Sequence, residues 1–182
     1  NVDATLLGRN QNLAFVGTGT AGFNHMDMQY LASRNIPVYA ASGCNAVAVV
    51  EYVICAMLHM SVQRNTDLFQ QKVGIVGVGN IGSRLYQRLQ SLGIDTCSYD
   101  PPLQESGQLE SSGTFAEILE CDWITLHVPL VSGGEHPTLH MFSEAELSGL
   151  SQHQCLINAC RGEVVNNHCL LYTSPSPRDP IG

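Results

Sequence analysis

Apolar residues along the chain fall alternately into short runs and helix-spaced stretches, the alternation expected of β-α-β units. Residues 13–16 (Leu-Ala-Phe-Val) predict a strand, followed by the small-residue loop 17–22 (Gly-Thr-Gly-Thr-Ala-Gly). A short helix is expected over 26–33 and another strand over 36–39. Residues 46–62 are an apolar stretch of helical composition. Its short length, with Glu51 and His59 inside it, argues against a membrane span, so it reads as a long buried helix connecting two domains.

From Lys72 the pattern sharpens. Val73-Gly74-Ile75-Val76 is a β-branched strand, and residues 80–92 form an amphipathic helix closed by Gly93. Residues 94–99 are the next strand, ended by Asp100-Pro101-Pro102. Thr114 and Glu117 have capping-box spacing ahead of a short helix over 115–120, and Ser143 and Glu146 repeat that spacing ahead of another. Residues 123–128 are nearly continuous apolar sequence, as expected in the middle of a parallel sheet, and 155–159 form the fourth strand of this half. Residues 169–179 lack periodicity, and their prolines exclude a continuing helix. Residue for residue they match a translated transposase-type sequencing adapter, so 169–182 is expected to be a non-native tail. The fold class is therefore α/β. A Rossmann-type parallel sheet covers 72–168, a connecting helix and linker cover 46–71, and part of a second domain covers 1–45.

Three loops carry candidate chemistry. Gly77-Val78-Gly79-Asn80-Ile81-Gly82 is a G-x-G-x-x-G between a predicted strand and a predicted helix, the context a dinucleotide fingerprint requires. Gly77 permits the tight turn, Gly79 lets backbone approach a pyrophosphate, and Gly82 allows close helix–strand packing. Asn80 and Ile81 lie where free N–H groups at the helix start receive phosphate. Asp100 stands about 20 residues further on, where a carboxylate accepts hydrogen bonds from the adenosine ribose and repels a 2′-phosphate. The cofactor read from this is NAD. Asn158-Ala159-Cys160-Arg161-Gly162 follows the fourth strand, and Arg161 offers a planar, permanently charged fork for a carboxylate. In the loop 17–22, Thr18, Thr20 and the backbone donors suit an anionic substrate, although a simple turn fits those residues equally well. His127 reads as a structural histidine with its hydrogen bonds satisfied.

Composition narrows the classes. The chain has 182 residues, enough for one or two domains, and its 44% hydrophobic content is that of a globular protein. A net charge of −8, from 8 Lys+Arg against 16 Asp+Glu, argues against a nucleic-acid partner. Lys72 is the only lysine, so no polybasic membrane surface is expected. Charged residues are only 13%, about half the usual quarter, as expected of a piece centred on buried, cofactor-facing strands. Seven cysteines without metal or CxxC spacing read as reduced thiols, small buried hydrophobes of a cytoplasmic protein. No secretory signal pattern opens the chain.

Together the Phe15–Gly22 segment, Ser42-Gly43-Cys44-Asn45-Ala46, Val49-Val50-Glu51-Tyr52-Val53, the glycine motif, Asp100-Pro101-Pro102 and Ile157-Asn158-Ala159-Cys160-Arg161-Gly162 resemble the D-isomer-specific 2-hydroxyacid dehydrogenases. Gly-Cys-Asn-Ala and Ala-Cys-Arg-Gly point, within that family, to the branch acting on 4-phospho-D-erythronate rather than to phosphoglycerate dehydrogenase. The resemblance implies a partial flavodoxin-like substrate domain beside the Rossmann domain. It implies NAD-dependent oxidation of a phosphorylated 2-hydroxy acid at C2 to the 2-oxo acid, a step of pyridoxal phosphate synthesis, by a homodimeric parent enzyme. It also implies that Arg161 holds the substrate carboxylate beside the nicotinamide, that Thr20 contacts substrate, and that Asp100 binds the ribose. Val128, Ala159 and Cys160 stand where the family contacts the cofactor. The family's base is a histidine paired with a glutamate, both well downstream of the arginine, so the chain as given is expected to be inactive. Another 2-hydroxyacid dehydrogenase and a non-catalytic NAD-sensing module are the competing readings.

Overall fold

The computed structural model describes residues 1–10, 12–20, 22–109 and 112–173, and the chain divides into two units, Asn1–Ala46 and a second that begins at Val47. In the first unit α1 (Ala4–Leu7) is capped by Asp3, whose carboxylate accepts from the N–H groups of Thr5 and Leu6. Next come β1 (Val16–Thr18), α2 (Met28–Ser33) and β2 (Val38–Ala40). β1 and β2 pair in parallel with Val16 opposite Val38, and Met26, Leu31 and Ile36 form the small core.

The strands here lie about two residues later than the apolar pattern predicts. Pro37 has no N–H to give a ladder, and its carbonyl instead accepts from Val16 N–H at 2.9 Å, so pairing begins at Val16 and Val38. Ile36 goes to the core rather than to the strand. α2 likewise starts at Met28 rather than Met26, because the Asp27 carboxylate caps it by accepting from Tyr30 N–H at 2.9 Å.

The second unit opens with α3 (Ala46–Arg64) and a 3-10 turn at Leu68–Gln70. It continues through β3 (Lys72–Val76), α4 (Gly82–Ser91), β4 (Asp95–Tyr99), α5 (Pro101–Glu105), α6 (Phe115–Leu119), β5 (Trp123–Leu126), α7 (Glu144–Gly149), β6 (Cys155–Asn158) and α8 (Asn167–Thr173). The four strands are parallel in the order β4-β3-β5-β6. The inner strands β3 and β5 are buried along nearly their whole length, which is why they read as unbroken apolar runs. Val73, Ile75 and Trp123 join Leu85 and Leu89 of α4 and Val50, Val53 and Met57 of α3 in one core. Val76, Ile124 and Leu126 join Ile118, Phe142 and Leu147 in the other. Helices thus cover both faces, as in a doubly wound sheet. Both predicted capping boxes form, Thr114 with Glu117 and Ser143 with Glu146.

Several boundaries and environments differ from expectation. α3 packs into the second unit with one stripe only, Val50, Val53 and Met57, while Val47, Tyr52 and Val62 are 52%, 68% and 77% exposed. By length and a mean hydropathy of 1.6 it is apolar enough to cross a membrane, but that stripe makes it a core helix of this unit, half-covered rather than buried. α4 starts at Gly82 instead of Asn80, because Asn80 and Ile81 are spent in the turn. β5 stops at Leu126, so His127 and Val128 stand beyond the strand. Asp100 both ends β4 and caps α5, with Pro101 in the first turn where its missing N–H costs nothing. The expected loss of structure from Cys169 does not occur at once. Asn166 caps α8 through its side-chain oxygen, and the helix runs to Thr173. Residues 174–182 of the expected tail lie outside the described residues. Of the seven cysteines only Cys121 is buried, and Cys44 and Cys55 are exposed.

Leu85 is fully buried where α4 meets β3. Leu85→Ala is expected to lower stability by about 2–5 kcal/mol. Denaturant unfolding followed by the fluorescence of Trp123, the single tryptophan, measures this.

Candidate cofactor site

In a parallel sheet every strand ends at the same edge, so the loops after β3, β4, β5 and β6 are neighbours. The chain passes from β3 to β4 on one side and then returns to β5 on the other, which puts the switch point of the sheet above β3 and β5. The glycine loop lies there. Gly77 has φ +89°, and a Cβ on it would stand 2.7 Å from the His127 carbonyl oxygen. A Cβ on Gly82 would collide with the Gly77 carbonyl oxygen, so α4 can begin this close to β3 only with glycine. Gly79 differs: a Cβ there would meet nothing within 4 Å. Two of the three glycines are required by the protein's own packing, and the middle one faces open space.

The start of α4 has no side-chain cap, which leaves N–H donors at a helix N-terminus unmatched by the chain itself. Ile81 accepts Leu85 N–H at 2.9 Å, and Gly79 accepts both the backbone N–H and the hydroxyl of Ser83, at 3.0 and 2.7 Å. Asp100 is fixed beside this loop. One carboxylate oxygen accepts from Val78 N–H at 2.7 Å and the other from Leu103 N–H at 3.1 Å. Its own N–H donates to the Ser112 hydroxyl at 3.1 Å. Each oxygen keeps a further lone pair for a ligand hydroxyl.

Asp100 lines a cavity of about 250 Å³ together with Val76, Pro101, Pro102, Val128 and Pro129. That volume lies below the several hundred Å³ usual for a whole drug-sized ligand, which suits one end of a dinucleotide. At the end of β6, Asn158 organises the following turn. Its amide donates to the Arg161 carbonyl at 2.8 Å, and its side-chain oxygen accepts from Cys160 N–H at 3.1 Å. Arg161 is half-buried and donates to the Cys160 carbonyl at 3.2 Å, and no carboxylate pairs with it among the described residues. Burial pushes the Cys160 thiol up, against the opposing pull of the Arg161 and Val128 backbone groups, so Cys160 lies against the loop after β5.

The structure therefore brings Gly77, Gly79, Asn80, Ile81, Gly82, Asp100, Val128, Ala159, Cys160 and Arg161 to one edge of one sheet. Thr20 belongs to the first unit, after β1. Its hydroxyl donates to the Gly22 carbonyl at 2.8 Å and lies 2.7 Å from the Thr18 hydroxyl. The sequence assigns no role to Val78, Ser112 or Asn158. For Asn158 a signal existed, since an amide between a strand end and an arginine can both donate and accept within its own turn. Val78 acts through its N–H, which no side-chain pattern reveals.

Residues 56–175 match the D-isomer specific 2-hydroxyacid dehydrogenase, NAD binding domain. The chain belongs to the D-isomer specific 2-hydroxyacid dehydrogenases. Within this dehydrogenase family it is 48% identical over 170 residues to erythronate-4-phosphate dehydrogenase of Pseudoalteromonas atlantica, covering 93% of this chain and 46% of that protein. It is 46% identical over 162 residues to the protein of the same name from Cronobacter sakazakii, covering 88% and 43%. The chain thus spans about half the length of the curated relatives it matches. Among solved structures it resembles the NAD-dependent formate dehydrogenase of Staphylococcus aureus in complex with NAD, with TM-score 0.74 and 26% identity over 94% of this chain and 57% of that one. It also resembles the D-lactate dehydrogenase of Aquifex aeolicus complexed with NAD and lactic acid, with TM-score 0.71 and 25% identity over the same shares.

His127 borders the site as a neutral group. Nε2 lies 2.9 Å from the Thr125 hydroxyl, Nδ1 has no partner among the described residues, and burial pushes its pKa down to about 4. The unfolded chain therefore binds a proton near pH 6.5 that the folded chain refuses until about pH 4. Stability is expected to be full above pH 6.5 and to fall by up to about 3 kcal/mol as pH drops toward 4. Urea unfolding at a series of pH values should show this slope, and His127→Gln should flatten it.

Proposed function

We propose that this chain is the cofactor-binding half and part of the flavodoxin-like substrate domain of an enzyme that oxidises 4-phospho-D-erythronate at its C2 hydroxyl to the 2-oxo acid, in pyridoxal phosphate synthesis. The observation that carries the cofactor part is the glycine loop. Gly79 is open, the first turn of α4 is uncapped, and the Asp100 carboxylate is tied to the same loop. These residues fit a dinucleotide: phosphates on the N–H groups of Gly79, Asn80 and Ile81, ribose hydroxyls on Asp100, and the base in the cavity against Val128. The substrate assignment rests on the 48% identical relative.

Bound NAD supplies the hydride acceptor. The chain's own residues hold and polarise substrate. Arg161, free of any acidic partner among the described residues, grips the substrate carboxylate with two parallel N–H donors and stabilises charge growing on the C2 oxygen. Asn158 holds the arginine's turn in place. The Thr20 hydroxyl contacts the phosphorylated acid. Removing the C2 hydroxyl proton needs a base, and His127, its basicity lowered by burial to a pKa of about 4 and its Nε2 engaged by Thr125, is too weak to serve. We assign the base to the part of the parent enzyme not represented here. The parent is read as a cytoplasmic homodimer.

Calorimetric titration of this chain with NAD tests the cofactor reading. Binding is expected, with NADP weaker by about tenfold or more, since its 2′-phosphate meets Asp100. Gly79→Ala should leave the melting temperature unchanged while weakening NAD binding by about tenfold or more, whereas Gly82→Ala should lower the melting temperature itself. Equal binding of NAD by wild type and Gly79→Ala would contradict the assignment. For the substrate, the complete enzyme should reduce NAD with 4-phospho-D-erythronate in preference to 3-phosphoglycerate or lactate, and Arg161→Lys should lower kcat/KM.

A further inference from the structure

The cavity beside Asp100 is lined in part by a loop, residues 131–138, that the cofactor fingerprint does not include. The loop is a built feature. Thr138 N–H and Leu139 N–H both donate to the Val131 carbonyl at 2.9 Å, and Val131 N–H donates to the Thr138 hydroxyl at 2.8 Å. That hydroxyl donates in turn to the Pro129 carbonyl, and Thr138 is buried. Gly134, at φ +87°, turns the tip, which carries Glu135, His136 and Pro137 to the cavity wall.

His136 lines the cavity and bonds outside the loop, to α5. Its Nε2 lies 3.0 Å from both carboxylate oxygens of Glu105, 31 residues earlier in the chain. Glu105 is the last residue of α5, and Asp100 caps the first turn of that helix. One short helix therefore holds the ribose-facing acid at one end and the loop's anchor at the other. His136 is about one-third exposed and Glu105 more than half, so the pair contributes little to folding. Its geometry matters in another way, because it joins the two walls between which the cavity lies.

We infer that the Glu105–His136 hydrogen-bonded pair is a strap that holds the loop 131–138 over the adenosine end of the cofactor cavity and so sets the affinity for adenine nucleotides. The inference rests on the cofactor reading above and names two positioning residues for it. With the strap in place the loop is ordered before ligand arrives, and binding does not bear the entropy of ordering it. Without the strap the tip is anchored only through Thr138, and that ordering falls on the binding step.

Titration of the 182-residue chain with AMP and with NAD provides the test. Glu105→Gln and His136→Gln should each weaken both ligands roughly two- to fivefold, with the double variant no weaker than either single one. The charge-swapped chain, Glu105→Lys with His136→Glu, should recover wild-type affinity, and the wild-type advantage should shrink in molar salt, where an exposed pair is screened. A role confined to folding stability would give neither the recovery nor the salt effect. Unchanged AMP affinity in both single variants, or a charge swap that fails to restore it, would overturn the strap and leave the cofactor reading standing. A wild-type chain that binds neither AMP nor NAD would overturn both.

Discussion

The second unit depends on how close α4 comes to the end of β3. The Gly82 backbone lies so near the Gly77 carbonyl that no side chain fits between them, and Gly77 in turn sits against the His127 carbonyl at the end of β5. These two contacts bring the start of a helix, the end of one inner strand and the end of the other to one point. The uncapped N–H groups of α4 then face the crevice at the switch of the sheet. Asp100 completes the arrangement from β4 by holding Val78 N–H. A larger residue at either packing glycine would move the helix away from the strand, and the anion-receiving end of α4 would go with it.

Charge explains why the site is built from backbone. The chain carries a net charge of −8, so its long-range field repels an anionic dinucleotide rather than steering it in. Attraction must come from short range. The helix terminus supplies about half a positive charge directed along its axis. Arg161 supplies a full one, kept available because no carboxylate pairs with it among the described residues. On the proposed reading Asp100 adds negative charge where only hydroxyls are to be bound, which favours NAD over NADP.

Much of this was legible in the sequence because it is written in local chemistry. The glycine spacing, the acid after β4, the two capping boxes and the apolar runs of β3 and β5 each follow from constraints within a few residues. What was misread depended on partners elsewhere in the chain. β1 and β2 start late because the Pro37 carbonyl, not its missing N–H, meets Val16. α3 is largely apolar, so composition could not tell that only one stripe, centred on Val50, Val53 and Met57, would be covered. The Asp100–Val78 tie spans 22 residues and the Glu105–His136 pair 31. Neither has a periodicity to reveal it.

The central claim is that the N–H groups between Gly79 and Ile81, together with Asp100, receive NAD. Backbone amide resonances of the chain followed during NAD titration test it most directly. The account predicts that the largest shifts fall on Gly79, Asn80, Ile81 and Gly82, with Asp100 and Val128 next, and that they saturate together. Shifts concentrated elsewhere, with the Gly79–Gly82 amides unmoved at saturation, would contradict it.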